Sequence, residues 1–548
     1  LVRWICTSNP FYVISAGLFL AGLLISFGDQ AQEEDTWALM AGLSGYTLLL
    51  AVTAGLLVRF GHVWDDVRTV LLLVVLMFLA TSVTFDDVVY ENPLLGSACY
   101  LLGLLWAVLV SEGVLRGIRL RLPAWFSVPY YLILGLFFLY PLAVSPLLEQ
   151  QRSERLMWAL FGFSPAAGLV FLTLLPAIRR GPTYVLHNGS PWRWPLYPWV
   201  LFGLLALAVP GRAYFLCWMM HPIAFNDVNL FIFGPYFLVP FGLAVAVLVL
   251  EAAIISGRGE LLRIALLTPL LLAFLAITGH QSHYIYQEFL SIFTRRLGGD
   301  PLFLTLLAAA AFYVYAAYRK VPLALDGLTA ALVALAVVSR RDQALEQLVA
   351  PQPALMLATA LQLILGYRQR SSVRCLVGSA GLVALAALTL PGTTRVAPMR
   401  GLIIYHLILM TVLVLGTVFD DPLGRLLRTI GSLWMALTCA VVIFVPLTTP
   451  ASIPPWLLVV YPPVVAAFLA GYGLLFGQRT LVAGAGLISV LWLVAAGWRV
   501  YRGLRLVIAG LDYMTVGLAL FAVALAISLG KSTARSRWIA ARQGKVTD

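Results

Sequence analysis

The chain has 548 residues, of which 61% are hydrophobic and only 11% charged, with a net charge of +12 and a mean hydropathy of +0.94. A soluble domain carries about 25% charged residues, so the composition excludes a soluble multidomain protein and the length does not set a domain count. The basic residues lie in short loops, where membrane insertion favours them on the cytoplasmic side. No basic stretch is interleaved with aromatics as a nucleic-acid groove requires, so the expected partner is the lipid bilayer and nucleic acid is not one.

Apolar runs of about 20 residues, each long enough to cross a bilayer core of about 30 Å, recur from one end to the other. They predict an all-α, polytopic integral membrane protein of about 18 transmembrane helices, within a range of about 16–19. The first span, Phe11–Phe27, follows Ser8-Asn9-Pro10, a cap and first turn. It lacks a small-residue cleavage site before the acidic GDQAQEED turn and is expected to be a retained helix. The second span, from Trp37 to Val58, leads into a turn with Arg59 and Arg68 at its ends. The third is expected to end at Phe85, with Asp86, Asp87 and Glu91 in an acidic exit turn. The fourth, from Leu94 to Leu115, exits into Arg116, Arg119 and Arg121.

Basic turns thus follow every second span. The pattern continues through the fifth span (Trp125 to Leu148) and the sixth (Leu156 to Ile178) into the basic loop 179–195. Around that loop, Trp192, Trp194, Tyr197 and Trp199 suit an interfacial aromatic belt. The seventh span (Leu196 to Met220) is expected to break at Pro210-Gly211, just before Arg212. The eighth (Asn229 to Ser256) and ninth (Leu261 to Gly279) follow, then four short alanine- and leucine-rich spans at 301–318, 321–339, 353–367 and 375–391. Small residues there permit close helix approach. Further spans end near Gly530, before a basic tail.

Assigning alternate loops to alternate sides places both termini in the cytoplasm and most of the 36 lysines and arginines inside, as expected of a bacterial cytoplasmic membrane protein. Arg395, Arg400, Arg499, Arg502 and Arg505 fall on the other side. The expected organisation is an N-terminal helical region, 1–300, with polar outer-face loops; a C-terminal helical region, 301–530; and a basic cytoplasmic tail, 531–548. One short similarity suggests an inverted repeat: LMFLATSVTFDD (76–87) and LMTVLVLGTVFDD (409–421) each close an apolar run in Phe-Asp-Asp.

Residues that could carry chemistry are few. The chain has no GxGxxG loop with its acidic partner, no GKS/GKT loop, no HExxH and no GxSxG elbow, so soluble-type nucleotide hydrolysis is not supported. The five cysteines, Cys6, Cys99, Cys217, Cys375 and Cys439, form no CxxC pair and read as small buried apolar residues. No cofactor is expected. Polar groups concentrate between Arg212 and Asp300, where Arg212, His221, Asp227, His280, His283 and Glu288 form a candidate substrate-binding set. Alternation puts the loops that carry these histidines on one outer face. Two histidines three apart on a helix are too few to define a metal site, and no metal is assigned.

The 280–297 segment is amphipathic, with His280, His283, Gln287, Ser291 and Thr294 on one face and Ile285, Phe289, Ile292, Phe293 and Leu297 on another. A helix lying flat in the headgroup layer explains the same pattern. Arg212 inside a span costs about 2.5–3.5 kcal/mol; it either snorkels to the outer face, pairs with Asp227 or binds an anion. Glu112, Glu251 and His406 lie near span ends, while Asp326 and Asp512 are expected deeper. The functional expectation is a membrane protein that moves or handles a small or lipid-like substrate near the outer ends of spans seven to ten. The alternatives are a membrane-embedded transferase using a lipid-linked donor, or a non-catalytic subunit of a membrane complex.

Overall fold

The computed structural model describes residues 11–27, 33–61, 63–147, 154–186, 188–192, 194, 196–220, 233–278, 284–339, 351–389, 397–448, 455–508 and 510–543. The protein is an all-α membrane protein, and among the described residues there is no strand. Eleven of the described helices are long and apolar enough to cross a membrane, and five shorter apolar helices accompany them.

The chain divides into two compact units, 1–361 and 362–548, later than the boundary at 300 expected from loop polarity. The first unit contains α1 (Phe11–Phe27), α2 (Glu33–Leu56), α3 (Trp64–Glu91), α4 (Pro93–Gly117), α5 (Ala124–Val144), α6 (Glu154–Leu172), α7 (Leu175–Arg180), α8 (Leu196–Met219), α9 (Val239–Ser256), α10 (Gly259–Leu275), α11 (Tyr284–Leu297), α12 (Pro301–Tyr318) and α13 (Ala324–Val338). α14 (Gln352–Gln369) crosses the division. The second unit continues with α15 (Ser372–Thr389), α16 (Ala397–Val418), α17 (Pro422–Thr448), α18 (Pro455–Leu475), α19 (Arg479–Arg505) and α20 (Leu511–Gln543). α20 runs without interruption into the basic segment read as a separate tail.

In the first unit, α3 is the central element. It packs against α2, α4, α5 and α8, and its Val70, Met77, Phe78 and Phe85 are buried. α3 and α4 are joined through Asn92 alone, whose side chain accepts a hydrogen bond from the Leu95 amide at 3.2 Å, with Pro93 opening the next helix. This is a favoured helix start, since the cap supplies an acceptor and proline has no amide hydrogen to leave unpaired. The turn is tight because of Gly96, where a Cβ would fall 2.2 Å from the Val89 side chain and 2.4 Å from its Cα. A second apolar cluster joins α9, α12 and α13 through Phe303, Phe312, Tyr313 and Leu335.

Two expected features differ in the structure. α8 passes through Pro210-Gly211 unbroken; its one non-helical residue is Tyr197. Proline inside a membrane helix is tolerated where neighbouring groups satisfy the freed carbonyl, and prolines also lie inside α5, α6, α10 and α18. α11 does present an amphipathic face, but that face is covered by protein. Phe289 and Phe293 pack on Trp158, Phe161 and the Phe233–Tyr236 turn. Thr294, placed on the polar side by the sequence, is buried, and Leu297 is exposed.

In the second unit, α16 to α19 share a core of Leu413, Cys439, Leu469 and Ile488. The two Phe-Asp-Asp segments do different work. In the first unit the segment lies inside α3. In the second it forms the turn before α17, where Asp421 accepts from the Gly424 amide at 2.7 Å and from the Ser372 hydroxyl. Those two hydrogen bonds, the Ser372 contact first, hold the Asp421 carboxyl below its ordinary value.

Candidate functional site

Asp86 is expected in an exit turn, but α3 continues past it to Glu91 and places it wholly inside the first unit. Arg212 of α8 meets it with both guanidinium nitrogens: Nη2 donates to Oδ1 at 2.9 Å, and Nη1 donates to Oδ2. Tyr100 of α4 donates its hydroxyl to the same carboxylate. Arg212 Nη2 also points at the Ser82 and Phe137 carbonyls, 3.4 and 3.5 Å away. The pair therefore ties α3, α4, α5 and α8 together. Its Nε is buried without a hydrogen-bond partner, but with its charge matched and both terminal nitrogens directed at protein acceptors, Arg212 is a structural group and not an open anion site.

Glu251 is a second fully buried carboxylate, on α9, where the sequence suggested solvation at a helix end. It accepts from Arg319 Nη2 at 3.0 Å and from the Tyr315 hydroxyl, and Arg179 lies 3.5 Å away. Arg179 also donates to Tyr315 at 2.9 Å. This cluster joins α7, α9 and α12. Asp326 and Asp512 lie in the first turns of α13 and α20, not deep in a span. Asp512 pairs with Arg505 at 3.0 Å. His406 meets the Tyr461 hydroxyl at 2.7 Å within the second unit.

Of the sequence-predicted set, Arg212 is committed to Asp86, and Glu288 is exposed on α11. His221, Asp227, His280 and His283 lie outside the described residues, so no convergence of the two loops is part of the described geometry. Among the described residues there is no cluster of three metal-ligating side chains.

The open space lies toward the other end of α3. Arg68 and Asp86 are 18 positions apart, about 27 Å of helix at 1.5 Å per residue. There the starts of α3 and α8, the end of α4 and the segment around Trp192 enclose an apolar cleft with about 750 Å³ free of protein atoms out to its mouth. Leu72, Val75, Val114 and Val200 form its walls; the hydrogen-bonded Ser111–Tyr130 pair, at 2.8 Å, and Arg68 are among its polar groups.

A second, wider and more polar cleft adjoins it and shares Leu115, Leu120 and Leu122. Arg116, Arg119, Arg121 and Glu112 line it. Its rim is held by the backbone: the Arg121 amide donates to the Asn188 carbonyl at 2.8 Å, and Tyr197 donates to the Arg121 carbonyl at 2.9 Å. Gly189 is required at this contact, because its φ is +83° and a Cβ would fall 2.2 Å from the Arg119 carbonyl oxygen. The basic segments around Arg68, Arg116–Arg121 and loop 179–195, which alternation assigns to one side, thus meet at one end of the first unit.

Sequence reasoning missed Asp86 as Arg212's partner and missed the paired clefts. The signal for Asp86 was present: Phe85, Val88 and Val89 keep helical spacing across the two aspartates, and the stop signal comes only at Asn92-Pro93. No family model, curated protein or solved structure matches the chain.

Proposed function

We propose that this is a transporter-like membrane protein that takes up a lipid-like, amphipathic substrate between its helices. The apolar cleft beside a basic one carries this reading: a tail fits against Leu72, Val75 and Val114 while a polar head remains at the arginine-lined rim. Substrate sites near broken or closely packed helices are a recurring feature of transporters. Of the predicted outer-face set, Arg212 is occupied by Asp86. Loop charge supports a bacterial cytoplasmic membrane with both termini cytoplasmic, and in that orientation the two clefts lie on the inner side.

The test is retention of a photoactivatable fatty-acyl lipid by the purified protein in nanodiscs. Crosslinks should map to the α3–α4–α8 cleft, and Leu72→Trp and Val200→Trp, which fill it, should cut labelling several-fold while leaving the melting temperature unchanged. Labelling spread evenly over the outer helix surface and indifferent to both substitutions would sink the proposal.

A second reading, a transferase with a lipid-linked donor, draws on Glu112. It is the one carboxylate lining either cleft among the described residues, and it accepts from Tyr131 at 2.6 Å. Turnover of a lipid-linked donor in detergent that is lost in Glu112→Gln would favour this reading over transport.

A further inference from the structure

We infer that the lipid bound here carries a net negative phosphate headgroup, seated against Arg68, Arg119 and Arg121. This inference rests on the lipid-handling reading above and goes further by naming the headgroup chemistry. The first observation is charge. Four arginines line the two joined clefts against one carboxylate, Glu112. Glu112 is already engaged by Arg116 at 3.2 Å and by Tyr131. Arg68, Arg119 and Arg121 make no side-chain ion pair or hydrogen bond among the described residues. Asp65 and Asp66, one turn or less before Arg68 on α3, line neither cleft. Unpaired guanidinium groups at the mouth of an apolar cleft match a phosphate, which they contact through paired N–H donors.

The second observation is backbone conformation. Arg119 has φ +55°, a left-handed region that favours glycine, so an arginine is held there at a conformational cost. The same short segment is pinned to loop 179–195 through Asn188 and Tyr197, which makes the rim a fixed surface.

The experiment is native mass spectrometry of the full chain, delipidated in detergent and then offered phosphatidylglycerol or phosphatidylcholine with identical acyl chains. Preferential retention of phosphatidylglycerol is expected, with each unpaired arginine contributing roughly fivefold. The triple variant Arg68→Gln, Arg119→Gln, Arg121→Gln should bring the two lipids level without reducing phosphatidylcholine binding, while the triple lysine variant should keep a preference. These side chains are partly or fully exposed, and the melting temperature serves as the control for folding. Leu72→Trp should reduce both lipids alike. Equal retention by the wild-type protein, or a preference unchanged in the glutamine variant, would overturn the headgroup inference while leaving the lipid-handling reading intact. Retention of neither lipid would overturn both. Displacement by millimolar inorganic phosphate with no dependence on an acyl chain would show a free-anion site and overturn the lipid assignment.

Discussion

Arg212 illustrates how much a single residue can reveal and how much it can hide. An arginine deep in a hydrophobic run announces a partner, because an unpaired charge there is too costly. The partner was legible only through the apolar spacing that continues past the Phe85-Asp86-Asp87 motif, and two adjacent aspartates masked it by resembling a turn. Breaking a buried pair by removing one member costs about 3–5 kcal/mol, whereas replacing both by apolar groups is often neutral. Arg212→Ala and Asp86→Ala should therefore each lower the detergent melting temperature sharply, and the double variant Asp86→Leu, Arg212→Met should recover much of the loss. Arg212→Lys should remain destabilised, since lysine cannot span both carboxylate oxygens. A fully stable lysine variant in fluorescence-detected size-exclusion melts would contradict the role assigned to the pair.

At the scale of elements, most helices were legible because apolar length and turn residues mark them directly, and α1 agrees end to end with its expected span. The misses share one physical cause: tertiary neighbours override local signals. Pro210 does not break α8, Asp86 and Asp87 do not end α3, and α11 buries its aromatic face on α6 instead of lipid. At the α3–α4 hairpin, Gly96→Ala should overpack against the Val89 backbone and cost about 1–3 kcal/mol, read as a lowered melting temperature; an unchanged value would mean that the hairpin can open. The cap of α17 is pH-sensitive. The Asp421 carboxyl titrates below its ordinary value of 3.8, so its stabilisation is present above that value and is lost as pH falls through the depressed one. The wild-type protein should melt above Asp421→Asn at neutral pH, and the gap should close as the pH falls below about 4. A gap constant with pH would assign the effect to hydrogen bonding alone.

At the scale of the whole molecule, charge alternation carried more information than any motif. It grouped Arg68, Arg116–Arg121 and loop 179–195 on one side, and these segments do line joined clefts in the first unit. Which helices are neighbours was not legible, because lipid and protein interior are equally apolar and leucine faces both. On α4, Leu101, Leu105 and Leu109 are exposed, while on α5 Leu134 is buried in a similar sequence context. The absolute orientation is open to direct measurement. Single cysteines in a cysteine-free background should be protected from an impermeant thiol reagent at 116–121 in intact cells and labelled at 29–35. Labelling at 116–121 from outside would reverse the orientation and place the basic clefts on the outer side.

The link between α3 and α8 also imposes an order in time. Asp86 and Arg212 are separated by 126 residues, so at roughly 5–20 residues per second the aspartate emerges from the ribosome about 6–25 s before its partner. During that interval Tyr100, 14 residues behind, is the one side chain of the cluster already made to meet the carboxylate. The α3–α4 hairpin must therefore wait with its carboxylate lacking the guanidinium partner, and close fully only when α8 arrives. Nascent chains stalled before α8 should be degraded or retained by the insertion machinery, and those stalled after it should not.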